Sequence, residues 1–285
     1  MNYKNPNALV TTDWLVANKD DPNISIVDAS FYLPFAKRNP KNEFLNCHIP
    51  NAVFFDINEI ADQRTDLPHM LPSPKLFSGH MGKLGISNNH HVICYDSTGG
   101  PMAAMRAWWT FRVFGHDRVS VLNGGLPKWQ NEGHITTKLP TDCSEETFTA
   151  KYKADLVKNI GEITNNIETQ KYQVVDARSA SRFYGKEPEP RKGLRSGHIP
   201  DAINLPFENL FNITDFMTMR KADEILAIIN EAGIDPQKPI ISSCGSGVTA
   251  APLVMALYLL GYSDVAIYDG SWTEWASRPD TPIEI

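Results

Sequence analysis

Cys244 opens the run Cys244-Gly245-Ser246-Gly247-Val248-Thr249-Ala250, so a single thiol stands at the head of a Gly-x-Gly turn. Lys238-Pro239-Ile240-Ile241 before it reads as a short buried strand, and Ala251 to Leu260 after it as an apolar helix closed by Gly261. At a strand-to-helix turn of this kind, backbone N–H groups and the helix N-terminus converge and favour a thiolate. Such settings bring a cysteine pKa down to roughly 3.5–7.5. The chemistry this allows is nucleophilic. A free cysteine is more often a small buried residue, but a loop with two glycines suits that role poorly. Gly245, Gly247 and Val248 would offer N–H groups to an anionic sulfur, their side chains mattering chiefly by being absent or small. Ser246 can face the same cavity, where its hydroxyl could donate to the thiolate or relay a proton. A serine in a glycine-rich loop is more often only a turn former. Thr249 would cap the following helix or secure the loop.

This run resembles the active-site loop of the two-domain rhodanese-type sulfurtransferases, within them the 3-mercaptopyruvate branch. The thiosulfate branch typically carries basic side chains just after the cysteine, whereas Gly245 and Ser246 are small and neutral. The resemblance implies that Cys244 takes sulfur from 3-mercaptopyruvate as a persulfide, releases pyruvate, and passes the sulfur to a thiol such as thioredoxin or to cyanide. It implies no metal and no organic cofactor, and it gives Ser246 a proton-transfer role. A second stretch, Arg182-Phe183-Tyr184-Gly185-Lys186-Glu187-Pro188-Glu189-Pro190-Arg191, reads by itself as a solvated charged loop. It is similar to the family segment Arg-Phe-x-Gly-x-Glu-Pro-Glu-Pro-Arg, whose two arginines hold the substrate. The matching positions are Arg182 and Arg191, and guanidinium groups suit a carboxylate and a keto oxygen. His69, in His69-Met70-Leu71-Pro72, matches a family histidine and is a candidate for the interdomain cleft, although a lone histidine is more often structural. In relatives a carboxylate after the Phe-Phe-Asp-Ile run is proposed to complete a relay with the cysteine and serine. Here Phe54-Phe55-Asp56-Ile57 is followed by Asn58, an amide, so that carboxylate is missing. Asp56 is retained, as a cleft residue or a structural one.

The elements that must position these residues are written twice. Ile26-Val27-Asp28-Ala29 returns as Val174-Val175-Asp176-Ala177, a shift of 148 residues, and His48-Ile49-Pro50 returns as His198-Ile199-Pro200, a shift of 150. Leu84-Gly85-Ile86 and Ala232-Gly233-Ile234 follow the same register, as do Asn123-Gly124-Gly125 with Trp129 and Asp269-Gly270-Ser271 with Trp275. Near-constant shifts over several landmarks point to duplication. Each copy reads as strands alternating with helices, which predicts α/β domains. The expected fold is two tandem rhodanese-like domains, each a mainly parallel sheet flanked by helices. We place a non-catalytic domain at 1–130, a polar aperiodic linker at 131–158 and the catalytic domain at 159–285. Ligands bind beyond the carboxyl ends of strands in such sheets, where Cys244 falls. The equivalent first-domain position is Thr98, in Asp96-Ser97-Thr98-Gly99-Gly100-Pro101, so that copy keeps a glycine-rich turn without the thiol. Cys94 reads as a core residue of the preceding strand, Cys47 and Cys143 as incidental, and His48 and His198 as braces of their own turns.

Composition narrows the rest. A chain of 285 residues, 42% hydrophobic and 21% charged, suits two globular domains with real cores. A net charge of -6 with no basic run argues against nucleic-acid binding. Four scattered cysteines give neither a zinc pattern nor a disulfide framework. No apolar run approaches a membrane span and the start lacks a signal-peptide core, so a cytoplasmic location is expected. Three other readings meet specific obstacles. A thiosulfate:cyanide sulfurtransferase would gain from cations beside the cysteine. A Cys-x5-Arg phosphatase would need arginine where Ala250 stands. A non-enzymatic rhodanese-like module would have no use for an intact cysteine loop.

Overall fold

The computed structural model describes residues 1–33, 36–98 and 102–285. In the first half the chain forms β1 (Leu9–Val10), α1 (Thr12–Asn18), β2 (Ile24–Asp28), α2 (Pro40–Asn46), β3 (Ala52–Phe54), α3 (Ile57–Ile60), α4 (Pro74–Lys83), β4 (His91–Tyr95), α5 (Met102–Val113), β5 (Val119–Leu122) and α6 (Gly125–Asn131). The second half forms β6 (Val157–Lys158), α7 (Ile160–Thr169), β7 (Gln173–Asp176), α8 (Ala180–Phe183), β8 (Ile203–Asn204), β9 (Phe211–Asn212), β10 (Thr218–Met219), α9 (Ala222–Glu231), β11 (Ile240–Ser243), α10 (Ala250–Leu260), β12 (Val265–Tyr268) and α11 (Ser271–Ser277). Helix starts follow local chemistry: Thr11 Oγ1 accepts from Trp14 N at 3.1 Å, and Asn159 with Glu162 closes a capping box on α7.

Each half builds a five-stranded sheet, in the orders β1-β5-β4-β2-β3 and β6-β12-β11-β7-β8. Every pairing in both sheets is parallel, and strand for strand the two orders are the same. The duplication seen in the sequence is thus a duplication of topology. Central strands β4 and β11 are buried along almost their whole length, as parallel strands covered on both faces must be, even though β11 ends in Ser242 and Ser243. The short antiparallel pair β9–β10 has no counterpart among the described residues of the first half.

The halves are joined by α5 and α10. Ten of the eleven residues of α10 are buried, because one side lies on its own sheet and the other on α5. Trp108 and Tyr258 meet across this junction with ring centroids 5.4 Å apart, and Arg112 lies 4.0 Å from the Tyr258 ring centre. The N-terminus also crosses: Lys4 N donates to Leu259 O at 2.8 Å.

The stretch 131–158 is not a free linker. Its Thr137 pairs with His48 as an isolated bridge, and Phe148 is buried against Phe77 and Phe111 of the first domain. Its last two residues, Val157 and Lys158, are β6, the edge strand of the second sheet. A two-residue strand is too short to show a period, which is why the sequence reads it as connector. Gly99, Gly100 and Pro101 of the first domain's glycine-rich turn lie outside the described residues.

Candidate active site

Cys244 follows β11, the middle strand of the second sheet, and its side chain is a free thiol in a residue only 1% exposed. The loop after it is fixed by its carbonyls. Trp272 N donates to Cys244 O at 2.9 Å, and Thr273 donates to Gly245 O through both N (2.9 Å) and Oγ1 (2.6 Å). From the first domain, Arg106 Nη1 donates to Gly247 O at 3.1 Å. The peptides of the described residues are all trans, so the N–H that follows each held carbonyl points to the opposite side. The N–H groups of Gly245 through Thr249 donate to no acceptor among the described residues. They are available to an anion. Cys244 N is spent on Ser271 Oγ at 3.3 Å.

Two expectations for this loop need correction. Thr249 makes no side-chain cap on α10. Val248 is not merely small: its side chain is buried in a cluster with Phe31, Ile57 and Ala103 of the first domain. Gly247 has φ +75°, and an added Cβ would lie 2.8 Å from Arg106 Nη1. The glycine serves both the left-handed backbone and the close approach of that guanidinium.

The structure brings Arg182 and Arg191 to the same loop. Arg182 comes from the last turn of α8, and its Nη2 would be 3.1 Å from a Cβ on Gly245. Arg191 Nη2 donates to Ser246 Oγ at 3.2 Å. Burial lowers the Arg191 pKa; the Cys244 sulfur pulls it back up, and neighbouring Arg182 pushes it further down. Behind these groups lies an ion-pair lattice that the sequence reading missed. Glu189, its side chain 2% exposed, accepts from Arg182 Nη2 at 2.5 Å and from Arg178 Nη1 at 2.8 Å. Arg178 is itself buried, bound to Asp176 and Gly197 O, with its guanidinium 4.3 Å from the Trp272 ring centre. A buried charge of this kind is tolerable only because each partner is satisfied. Glu189 lies inside the charged run already singled out; a carboxylate between prolines in it was the available signal.

His69 stands at the cleft between the domains. It has φ +63°, packs edge-on against Phe31 with centroids 4.7 Å apart, and neither ring nitrogen has a partner among the described residues. Burial, then Arg106 and Arg191, lower its pKa to about 3, so its ring is neutral at ordinary pH. Its carbonyl accepts from Arg106 Nη2 at 2.7 Å. Asp56 is not brought to the cleft. Its carboxylate caps α3, accepting from Asn58 N at 3.0 Å and Glu59 N at 3.3 Å, and it lines a first-domain cavity of about 500 Å³ with Phe44, His48 and His80. Asn58 is exposed.

The remaining cysteines and repeat histidines sit apart from the loop. Cys94 is fully buried and burial pushes its thiol up; Cys47 accepts from Gln130 Nε2 at 3.2 Å; Cys143 is exposed. His48 bonds Phe44 O at 2.6 Å and stacks on Phe44, and His198 bonds Phe183 O at 2.9 Å and stacks on Phe183. Among the described residues no group of three or more His, Cys, Asp or Glu could hold a metal ion, and no helix is long and apolar enough to cross a membrane.

The model of the rhodanese-like domain matches this chain twice, over residues 11–132 and 159–278. The chain belongs to the rhodanese family. It is 44% identical over 297 residues to thiosulfate/3-mercaptopyruvate sulfurtransferase 1, mitochondrial, of Arabidopsis thaliana, covering 97% of this chain and 78% of that protein. It is 43% identical over 282 residues to thiosulfate sulfurtransferase of Bos taurus, covering 96% and 94%. A crystal structure of a 3-mercaptopyruvate sulfotransferase from Escherichia coli superposes with a TM-score of 0.85 at 39% identity, covering 93% of this chain and 98% of the other. The protein is therefore a sulfurtransferase with tandem rhodanese domains, acting through a cysteine.

Proposed function

We propose that this rhodanese-family sulfurtransferase takes its sulfur from 3-mercaptopyruvate on Cys244. The Cys244 thiolate attacks the mercapto sulfur, forming the S–S bond while the carbon–sulfur bond breaks. The bonding pair moves onto the keto oxygen as pyruvate enolate, and the enolate carbon then takes a proton to give pyruvate. The sulfur keeps its hydrogen as a persulfide on Cys244. An acceptor thiolate, such as that of thioredoxin, or cyanide attacks the outer sulfur and returns Cys244 as thiolate. Free N–H groups of the loop favour the anionic sulfur in both half-reactions. Arg182 and Arg191 hold the carboxylate and keto oxygen. Ser246 accepts from Arg191, and its own O–H, which has no acceptor among the described residues, relays a solvent proton to the enolate.

The observation that carries the choice of donor is the pair of guanidinium groups beside a loop whose first two residues after the thiol are glycine and serine. Two cations beside the loop, supplied by another segment of the domain, suit a carboxylate and a ketone on a three-carbon substrate. Overall similarity does not separate the donors, since the bovine relative is named for thiosulfate and the Arabidopsis one for both. The test is kcat/KM for 3-mercaptopyruvate against thiosulfate, with cyanide as acceptor in both. A higher value for 3-mercaptopyruvate is expected. A higher value for thiosulfate would replace this reading with the thiosulfate one.

A further inference from the structure

We propose that Arg106, a residue of the non-catalytic domain, is a positioning residue for sulfur transfer: it holds the Cys244 loop in its anion-binding shape from outside. The inference rests on Cys244 being the sulfur carrier. Three loop carbonyls are held by residues outside the loop and the helix it leads into, and two of the three donors, Trp272 and Thr273, come from α11 of the same domain. The third carbonyl, Gly247 O, has Arg106 Nη1 at 3.1 Å. Because the peptide is planar and trans, fixing Gly247 O toward Arg106 turns the Val248 N–H to the other side. Without that bond, a glycine at φ +75° has the freedom to let this peptide rotate.

Arg106 is itself fixed on every side. It is 2% exposed, lies 4.4 Å from the Trp109 ring centre, and pairs with Asp269 Oδ1 at 2.6 Å. Asp269 in turn accepts Leu71 N at 2.8 Å through its other oxygen, and Arg106 Nη2 holds His69 O at 2.7 Å. One guanidinium thus joins the catalytic loop, the His69 segment and the turn before α11. Besides Arg106 and Asp269, Arg182 and Arg191 are the charged groups placed against the loop among the described residues, with Glu189 behind them. A lysine cannot reach three acceptors from one planar group, so the charge alone does not replace Arg106.

The test compares the unmodified protein with Arg106→Lys and with the double variant Arg106→Met/Asp269→Asn, which leaves no lone buried charge. Folding is checked by thermal melting. The pH dependence of iodoacetamide alkylation at Cys244 is followed by peptide mapping, and kcat and KM for 3-mercaptopyruvate are measured. Loss of the carbonyl's anchor predicts a Cys244 alkylation profile moved to higher pH and kcat lowered about 10- to 100-fold, with KM changed little. A purely structural role would lower the melting temperature and leave the alkylation profile in place. Folded variants with the parental profile and kcat overturn the inference; if the double variant does not fold, Arg106→Lys decides. If the unmodified protein loads no sulfur on Cys244, the site assignment fails, and this inference with it.

Discussion

Arg182 reaches the cysteine loop because Gly245 has no side chain to stop it, and it stays there because Glu189 holds it from behind. Removing Arg182 or Arg191, the arginines proposed to hold the donor, should therefore act on its binding. A hydrogen bond to a charged group contributes about 1.5–3 kcal/mol, so Arg182→Ala and Arg191→Ala should each lower kcat/KM by roughly one to two orders of magnitude. Lysine at either position should rescue only part, since an ammonium lacks the paired fork. Steady-state kinetics with 3-mercaptopyruvate check this; an unchanged kcat/KM in both alanine variants would remove the arginines from the site. His69 allows a second prediction, about pH. The folded imidazole refuses a proton until about pH 3, whereas the unfolded one accepts it near 6.5. The unfolded state binds more protons in that window, so stability attributable to His69 is lost as pH falls through it. His69→Gln should lose less stability than the parent between about pH 7 and about pH 4.5, read as the shift in urea midpoint. Asp28 and Asp96, raised to about 6 chiefly by burial, act in the opposite sense but are common to both proteins.

At the scale of elements, the two glycines of the loop have different duties and should fail differently. Gly247 has φ +75° and Arg106 at its back, so Gly247→Ala meets both a backbone cost of roughly 1–2 kcal/mol and a clash. Gly245 has no such φ, and only the Arg182 guanidinium is in the way of a methyl group. Gly247→Ala should lower the melting temperature and kcat together. Gly245→Ala should leave the melting temperature nearly unchanged and raise KM. Identical behaviour of the two variants would contradict this division. Much of this scale was legible beforehand: strands ending in Val-Asp-Ala, the helix after Cys244 and the doubled order of elements all carry a period or a repeated landmark. Edge strands β1 and β6 were not, because two residues show no alternation. Asp56 shows the limit for single residues. Its place within a family-like run left both a cleft role and a structural one open, and local backbone geometry made it a helix cap.

For the molecule as a whole, the non-catalytic domain is part of the site. It contributes Arg106, the His69 segment and the wall of Phe31, Ile57 and Ala103 against Val248. The sequence could not show this: Arg106 and Asp269 are 163 residues apart, and nothing local marks them as partners. The faint signal was an arginine in the apolar start of α5. The junction of α5 with α10 should make the two domains unfold together. Trp108 is 1% exposed at that junction, and Trp108→Ala should cost about 3–5 kcal/mol. Calorimetry should then show a lower transition, split in two if the domains part before they melt. A single transition at the parental temperature would mean that the junction carries no stability.

The central claim, that Cys244 carries the sulfur, is tested most directly by loading the protein with 3-mercaptopyruvate in the absence of any acceptor and mapping its peptides by mass. One added sulfur atom on the Cys244 peptide, lost again on addition of cyanide and absent from Cys244→Ser, is the predicted result. Sulfur on Cys47, Cys94 or Cys143 instead, or on no cysteine, would contradict it.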